Sequence, residues 1–213
     1  MSTVVVIDYG TSNLRSVAKA LEHVADSRHK IIVSNEASHI HAADRIVFPG
    51  QGAIGQCVTS LKQQGLDSLI YDSIKTKPFL GICLGLQSLM DHSNEDGGTV
   101  GLGIIPGNVV RFQDDCLDEN GDRCKIPHMG WNQVMQQQPH DLWKGIENGS
   151  RFYFVHSYYV SPLEPDDIAG TTDYTLSFTS AIARENIFAT QFHPEKSQKA
   201  GLTLLKNFLD WII

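Results

Sequence analysis

Phe79-Leu80-Gly81-Ile82-Cys83-Leu84-Gly85 is the stretch that decides how this chain folds. Phe79 to Ile82 is a short apolar run, long enough for one buried strand, and Leu84, Gln87, Ser88 and Leu89 beyond it predict a helix. A strand that turns straight into a helix needs small residues on either side of the turn, and Gly81 and Gly85 supply them in the G-x-C-x-G form of a nucleophile elbow. Cys83 then stands at a helix N-terminus, where unpaired N–H groups and the helix dipole favour a thiolate. The N–H of Leu84 points the same way, as an oxyanion donor. By itself the pattern also fits a tight turn around a buried cysteine.

Working outward, Val4 to Ile7 is a β-branched run that ends in Asp8-Tyr9-Gly10, as a buried parallel strand does before its loop. Leu14, Val17, Ala18, Leu21 and Val24 follow at helical spacing, with Ser12 or Asn13 as N-cap. Lys30 to Val33 and Arg45 to Phe48 are further strands. Alternation of strands and helices predicts a doubly wound α/β fold with a largely parallel sheet and helices on both faces. The second half differs: Val109 to Phe112, Phe152 to Val155, Thr175 to Phe178 and Ile187 to Thr190 predict strands with few helices between them. An antiparallel extension of the sheet accommodates these. Leu202, Leu205, Phe208, Leu209 and Ile212 form the stripe of a closing helix. Asp114 to Asp122 is an acidic loop, and with no linker or repeat the expectation is one domain over residues 1–213.

Two more segments follow predicted strands, where ligands of open α/β sheets gather. Gln191-Phe192-His193-Pro194-Glu195-Lys196-Ser197 holds a histidine that Pro194 restricts to extended geometry. Residues two apart on such a backbone project to one side, so Glu195 can orient His193 as base and orienter of a triad. Phe48-Pro49-Gly50-Gln51-Gly52-Ala53 exposes N–H donors between two glycines, which suits the second half of an oxyanion hole and equally suits a plain turn.

Composition narrows the classes. Of 213 residues, 41% are hydrophobic and 19% charged, an ordinary globular mixture, and a net charge of -7 argues against nucleic acid or anionic membrane as partners. No apolar run is long enough to span a bilayer, and the opening residues lack a signal-peptide pattern, so the expected location is cytoplasmic. Four cysteines with no C-x-x-C pair leave little support for disulfides or structural zinc. No metal and no organic cofactor is expected, and there is no P-loop or G-x-G-x-x-G for a nucleotide.

Taken in chain order, the glycine loop, the Cys elbow and His-Pro-Glu resemble the class I (triad-type) glutamine amidotransferases, a flavodoxin-like fold, over nearly the whole chain. Within them the chain is similar to the glutaminase subunits of imidazole glycerol phosphate synthase. The similarity rests on Ile7-Asp8-Tyr9-Gly10-Thr11-Ser12-Asn13-Leu14, Gly101 to Gly107, Pro127-His128-Met129-Gly130-Trp131-Asn132 and Phe152 to Tyr159. Thr11, Ser12, Gln51 and Leu86 depart from the usual residues, and none of them is a reacting group.

The resemblance implies that Cys83 attacks the side-chain amide of L-glutamine, that His193 moves protons and that Glu195 orients His193. Leu84 and the Gly50-Gln51-Gly52 loop would hold the oxyanion, each donor worth about 3–4 kcal/mol of barrier. Gln87, Glu95, Ser157 and Tyr158 match glutamine-binding positions. Met129, Trp131, Asn132 and Lys196 match the interface with a cyclase subunit, a (β/α)8 barrel, in a heterodimer that makes a histidine precursor. An ordinary core aromatic is the competing reading of Trp131. The anthranilate- and pyridoxal-phosphate-type glutaminases share the triad, but the Ile7-Asp8-Tyr9-Gly10 and Pro127 to Asn132 segments speak against them. A noncatalytic module on the same fold and a thiol-reactive stress protein are the readings from other classes.

Overall fold

The computed structural model describes residues 1–10, 14–113 and 124–213. The caps expected at Ser12 or Asn13, Thr11, the acidic stretch Asp114 to Asp122 and Cys116 lie outside the described residues.

The first half alternates as expected: β1 (Ser2–Ile7), α1 (Leu14–Val24), β2 (His29–Ser34), α2 (Ala37–Ala42), β3 (Arg45–Gly50), α3 (Ile54–Gln64), α4 (Leu66–Ser73), β4 (Phe79–Cys83) and α5 (Leu84–Ser88). The second half runs β5 (Met90–Ser93), β6 (Thr99–Val100), β7 (Ile105–Arg111), β8 (His128–Gln133), β9 (Met135–Gln136), β10 (Arg151–His156), β11 (Tyr158–Pro162), β12 (Ile168–Asp173), β13 (Ser177–Arg184), β14 (Ile187–Thr190) and α6 (Gln198–Asp210). In the main sheet β2-β1-β3-β4-β14 are parallel neighbours. From β14 outward the order continues β13-β11-β7-β5-β6, antiparallel at β14–β13, β13–β11 and β11–β7. Only β5 returns to parallel pairing, beside β7. The sheet is therefore largely parallel on the side of the elbow, with the antiparallel extension beyond it.

Each central strand is apolar throughout because both of its faces are covered. Val4 and Val6 of β1 point into a core with Leu14, Val17 and Leu21 of α1 and Leu204, Leu205 and Phe208 of α6. Val5 and Ile7 point the other way, to Ile40, Ile54, Val58, Leu61 and Ile70 of α2 to α4. Those three helices have no counterpart in the sequence analysis. In α3 the signal was nevertheless there: Ile54, Cys57, Val58 and Leu61 are its buried stripe.

Three expectations need correcting. Phe152 to Val155 is a strand but does not extend the sheet; β10 pairs with β8 in a separate two-stranded ribbon. The ribbon is free to leave because Phe152 and Phe154 bury themselves in the α1/α6 core, while β11 takes the place in the sheet between β13 and β7. The strand expected at Thr175 starts at Ser177, since Tyr174 N–H bonds the Leu176 carbonyl in a turn. The stripe of α6 does not reach Ile212, which is exposed; the helix stops at Asp210, and Arg45 donates to the Phe208 and Trp211 carbonyls.

The glycines of α3 and the elbow should respond in opposite ways. A methyl at Gly85 collides with the Phe48 carbonyl oxygen, whereas one at Gly55 makes an ordinary 3.5 Å contact with Thr99 Oγ1. Urea unfolding should find Gly85→Ala destabilised by about 2–4 kcal/mol and Gly55→Ala stabilised by about 0.5–1 kcal/mol. Equal effects would sink the packing argument.

Candidate active site

Cys83 sits at the carboxyl end of β4 with φ 54° and ψ -107°, outside the regions a cysteine ordinarily occupies. The turn closes only because two glycines let backbone touch backbone: a Cβ on Gly81 would lie 2.9 Å from Ala189 Cβ, and one on Gly85 would meet β3. Cys83 and Leu84 thus both reach the cavity at the carboxyl end of the sheet. The helix behind them has five residues, so its dipole adds less to a thiolate than the sequence suggested.

The second element comes from the loop after β14. His193 Nδ1 lies 2.8 Å from Glu195 Oε1, with both side chains almost fully buried. The expectation of an extended backbone holds at His193, but Pro194–Lys196 is a single helical turn, and it is this turn that swings Glu195 back to the ring. The loop is clamped to β10: His193 N–H donates to the Tyr153 carbonyl (2.9 Å), Tyr153 N–H to Ser197 Oγ (3.0 Å), and Ser197 Oγ–H to the His193 carbonyl (2.6 Å). With Nδ1 engaged, His193 Nε2 is buried with no hydrogen-bond partner among the described residues. Burial alone would lower the imidazole pKa, but the Cys83 thiolate and then Glu195 reverse this and raise it to about 10.

A cavity of about 360 Å³ gathers Gln51, Gly52, Cys83, Leu84, Gln87, Glu95, Ser157, Tyr158 and His193. Of the expected catalytic, oxyanion and substrate residues, only Gly50 and Glu195 stay off its wall. Gly50 lies beneath, beside Cys83 in the sheet register, where a side chain would strike Tyr9 and Leu84. Gln87 donates Nε2–H to the Tyr158 carbonyl and to Gln191 Oε1, both at 3.0 Å, which leaves Oε1 to offer to a ligand. Glu95 Oε2 accepts the Ile54 N–H at 2.7 Å, at the start of α3. Val155 and His156 also line the cavity, and fully buried Gln191 donates to Cys83 Sγ at 3.7 Å. None of the three stands out as a site residue from local sequence pattern. For Gln191 the signal was a polar residue two before His193, in an otherwise apolar run.

The ribbon beside this cavity has an exposed apolar face. Met129 is 62% and Trp131 42% exposed, so Trp131 is no core aromatic. Its ring lies 6.1 Å from that of Tyr153, over which Lys196 Nζ stands at 5.8 Å. Asn132, the next residue along β8, points inward and donates to the Asp173 carbonyl at 2.8 Å. A wider hollow, about 850 Å³ around Lys75, His140, Asp141 and Trp211, lies at the amino ends of the strands and holds none of the expected residues. Among the described residues no cluster of His, Cys, Asp or Glu could hold a metal, and no helix is long and apolar enough to cross a membrane.

Comparison with known proteins gives the following. The family description "Glutamine amidotransferase class-I" matches residues 5–211. The chain is 55% identical over 209 residues to the imidazole glycerol phosphate synthase subunit HisH of Thiobacillus denitrificans, covering 98% of this chain and 91% of that protein. It is 55% identical to HisH of Nitrosospira multiformis, with 99% of both chains covered. Among solved structures it is similar to a glutamine amidotransferase (TM-score 0.70, 14% identity, 97% of both chains) and to one from Thermotoga maritima (TM-score 0.61, 14% identity, 93% of this chain and 78% of that one). At those identities the structural likeness speaks for the fold.

The His193 imidazole should stay protonated through neutral pH, because its pKa is raised and the charge is lost only as pH climbs towards about 10. Nitrogen-detected NMR should show the imidazolium at pH 8 in the wild type, and titration at distinctly lower pH in Cys83→Ala. A neutral His193 ring at pH 7 in the wild type would contradict the charge pairing.

Proposed function

The chain belongs to the class I glutamine amidotransferases, among the HisH subunits of imidazole glycerol phosphate synthase, and from that premise we propose how its residues 1–213 work as one glutaminase domain. The observation that carries the reading is the pairing of His193 with Glu195 at 2.8 Å while Nε2 remains unbonded in the cavity that presents Cys83.

Cys83 attacks the side-chain amide carbon of L-glutamine as a thiolate. The tetrahedral oxyanion takes the Leu84 N–H and a second N–H from Gly50-Gln51-Gly52. The His193 imidazolium gives its Nε2 proton to the amide nitrogen, the C–N bond breaks, and ammonia leaves a glutamyl thioester on Cys83. Neutral His193 then deprotonates a water that attacks the thioester; glutamate departs and the thiolate is restored. Glu195 fixes the ring and stabilises the imidazolium from the Nδ1 side. Gln87 Oε1, Glu95, Ser157 and Tyr158 lie where the α-amino and carboxylate ends of glutamine would be held.

The HisH relatives are named as subunits of imidazole glycerol phosphate synthase, which supports the reading that this chain works with a cyclase subunit. In our reading the cyclase is a cytoplasmic (β/α)8 barrel that docks on Met129, Trp131 and Lys196, with Asn132 bracing the ribbon from within. Ammonia passes to it for histidine biosynthesis. The support is positional: Met129 pairs with Val155, which lines the cavity, so the apolar face and the site share one wall.

Glutamate release should rise sharply when the cyclase and its nucleotide ligand are added, and should vanish in Cys83→Ala. Strong hydrolysis indifferent to the cyclase would reject the coupling. Glu195→Gln should lower kcat by about 100-fold or more, since the ring loses its anionic partner. Trp131→Ala should weaken the complex about 10- to 100-fold by calorimetry, as truncation of a central aromatic anchor does; unchanged affinity would move the interface elsewhere.

A further inference from the structure

Beneath the cavity wall runs a line of hydrogen bonds that the proposed chemistry does not use. His128 Nδ1 and His156 Nε2 are 3.0 Å apart, His156 Nδ1 lies 2.8 Å from the Tyr158 carbonyl, and Asn132 Nδ2 lies 3.3 Å from His128 Nε2. Both rings are buried, and His128 is stacked between Phe154 and Tyr174.

The directions of these bonds are forced. A carbonyl only accepts, so His156 Nδ1 carries the proton and Nε2 of the neutral ring accepts. His128 therefore donates from Nδ1 and accepts at Nε2, where the Asn132 amide offers N–H. The Asn132 amide is itself oriented, since its oxygen takes the Gln133 N–H at 2.8 Å. A proton added to either ring would set two N–H groups face to face. Burial agrees, holding His128 at about 4 and His156 at about 3.

A second line of donation meets the first at Tyr158. Its carbonyl receives both His156 and Gln87; the second N–H of Gln87 goes to Gln191 Oε1, and this turns the Gln191 amino group toward Cys83 Sγ. Reversing Gln87 would set its oxygen against the Tyr158 carbonyl and Gln191 Oε1, and reversing Gln191 alone would set two amino groups face to face, so one orientation is selected for both amides. We infer that Asn132, His128 and His156 fix the Tyr158 carbonyl in place, and that this carbonyl, through Gln87, orients Gln191 as a donor to the Cys83 thiolate. Gln191, which touches the reacting sulfur, is then a catalytic residue, and His128 and His156 are positioning residues. The inference rests on the role given to Cys83 above, and it connects the inward side of the ribbon to the nucleophile.

Two readouts on the complex with the loaded cyclase test it: kcat and KM for glutamine, and the rate at which iodoacetamide alkylates Cys83, followed by peptide mass spectrometry. Gln191→Leu and His128→Leu should each lower kcat about tenfold, the scale of one hydrogen bond to a charged group, with KM moving less than threefold. Alkylation should slow about threefold, because losing a donor lowers the thiolate fraction more than it raises nucleophilicity. His128→Asn keeps a donor near the Nδ1 position and should recover most of both losses. In the double variant His128→Leu should add nothing to Gln191→Leu, since both act through one bond. Multiplied effects in the double variant, His128→Asn as impaired as His128→Leu, or unchanged rates in Gln191→Leu would each overturn the inference. Should His128→Leu fail to fold, Gln191→Leu and His128→Asn still decide it. If the wild-type complex releases no glutamate, the glutaminase reading fails, while the alkylation rates still judge the inference.

Discussion

The close approach of β3, β4 and α5 at Gly81 and Gly85 is the constraint on which the rest of the site depends. Without it the chain could not turn from strand to helix in one residue, and Cys83 would not stand above the sheet. That residue adopts a backbone conformation costing about 1–3 kcal/mol, which persists because strands packed on both faces hold its neighbours. The doubly wound core therefore does more than stabilise: it supplies the rigidity that keeps a strained residue in place. The same approach aligns Gly50 with Cys83 in the sheet register, so loop and nucleophile share one frame.

Burial then governs the chemistry. His193 and Glu195 lie almost fully out of water, where an isolated charge is costly and a paired one interacts strongly. The two effects oppose each other at His193, and the charges beside it win. His193 and Cys83 line one cavity of about 360 Å³. Such a buried pair is weak evidence for stability, and its value here is positional. Two hydrogen bonds tie the His193 loop to Tyr153 of β10, and a third, from Ser197 to the His193 carbonyl, closes the loop on itself.

The ribbon formed by β8 and β10 joins these two themes. Its inner face gives Phe152 and Phe154 to the core, and its outer face leaves Met129 and Trp131 to solvent. One strand pair thus touches core, cavity and exposed surface at once. Exposed apolar side chains beside a cavity mark a surface on which partners dock.

Much of this was legible in the residues alone. Apolar runs such as Val4 to Ile7 and the flanks of Cys83 announce a parallel sheet and an elbow, because burial on both faces demands continuous apolar strands and a one-residue turn demands glycine. His-Pro-Glu pointed to a histidine–carboxylate pair, and His193 and Glu195 do meet at 2.8 Å. The strand Phe152 to Val155 was recognised, but its departure from the sheet was not, since local pattern shows that a strand exists and says nothing of which neighbour it pairs with. Gln191 and the His128–His156 pair were hidden for a related reason: residues over 25 and over 100 positions apart meet only after the sheet closes, and the directions of their hydrogen bonds exist only in that packing. The sequence by itself determined the secondary structure around the elbow and singled out Cys83, His193 and Glu195 as candidates, through short-range sterics and side-chain chemistry. Tertiary structure alone decided the distances, the approach of Cys83 that raises the pKa of His193 against its burial, and the network behind Cys83, because each depends on contacts between segments far apart in the chain.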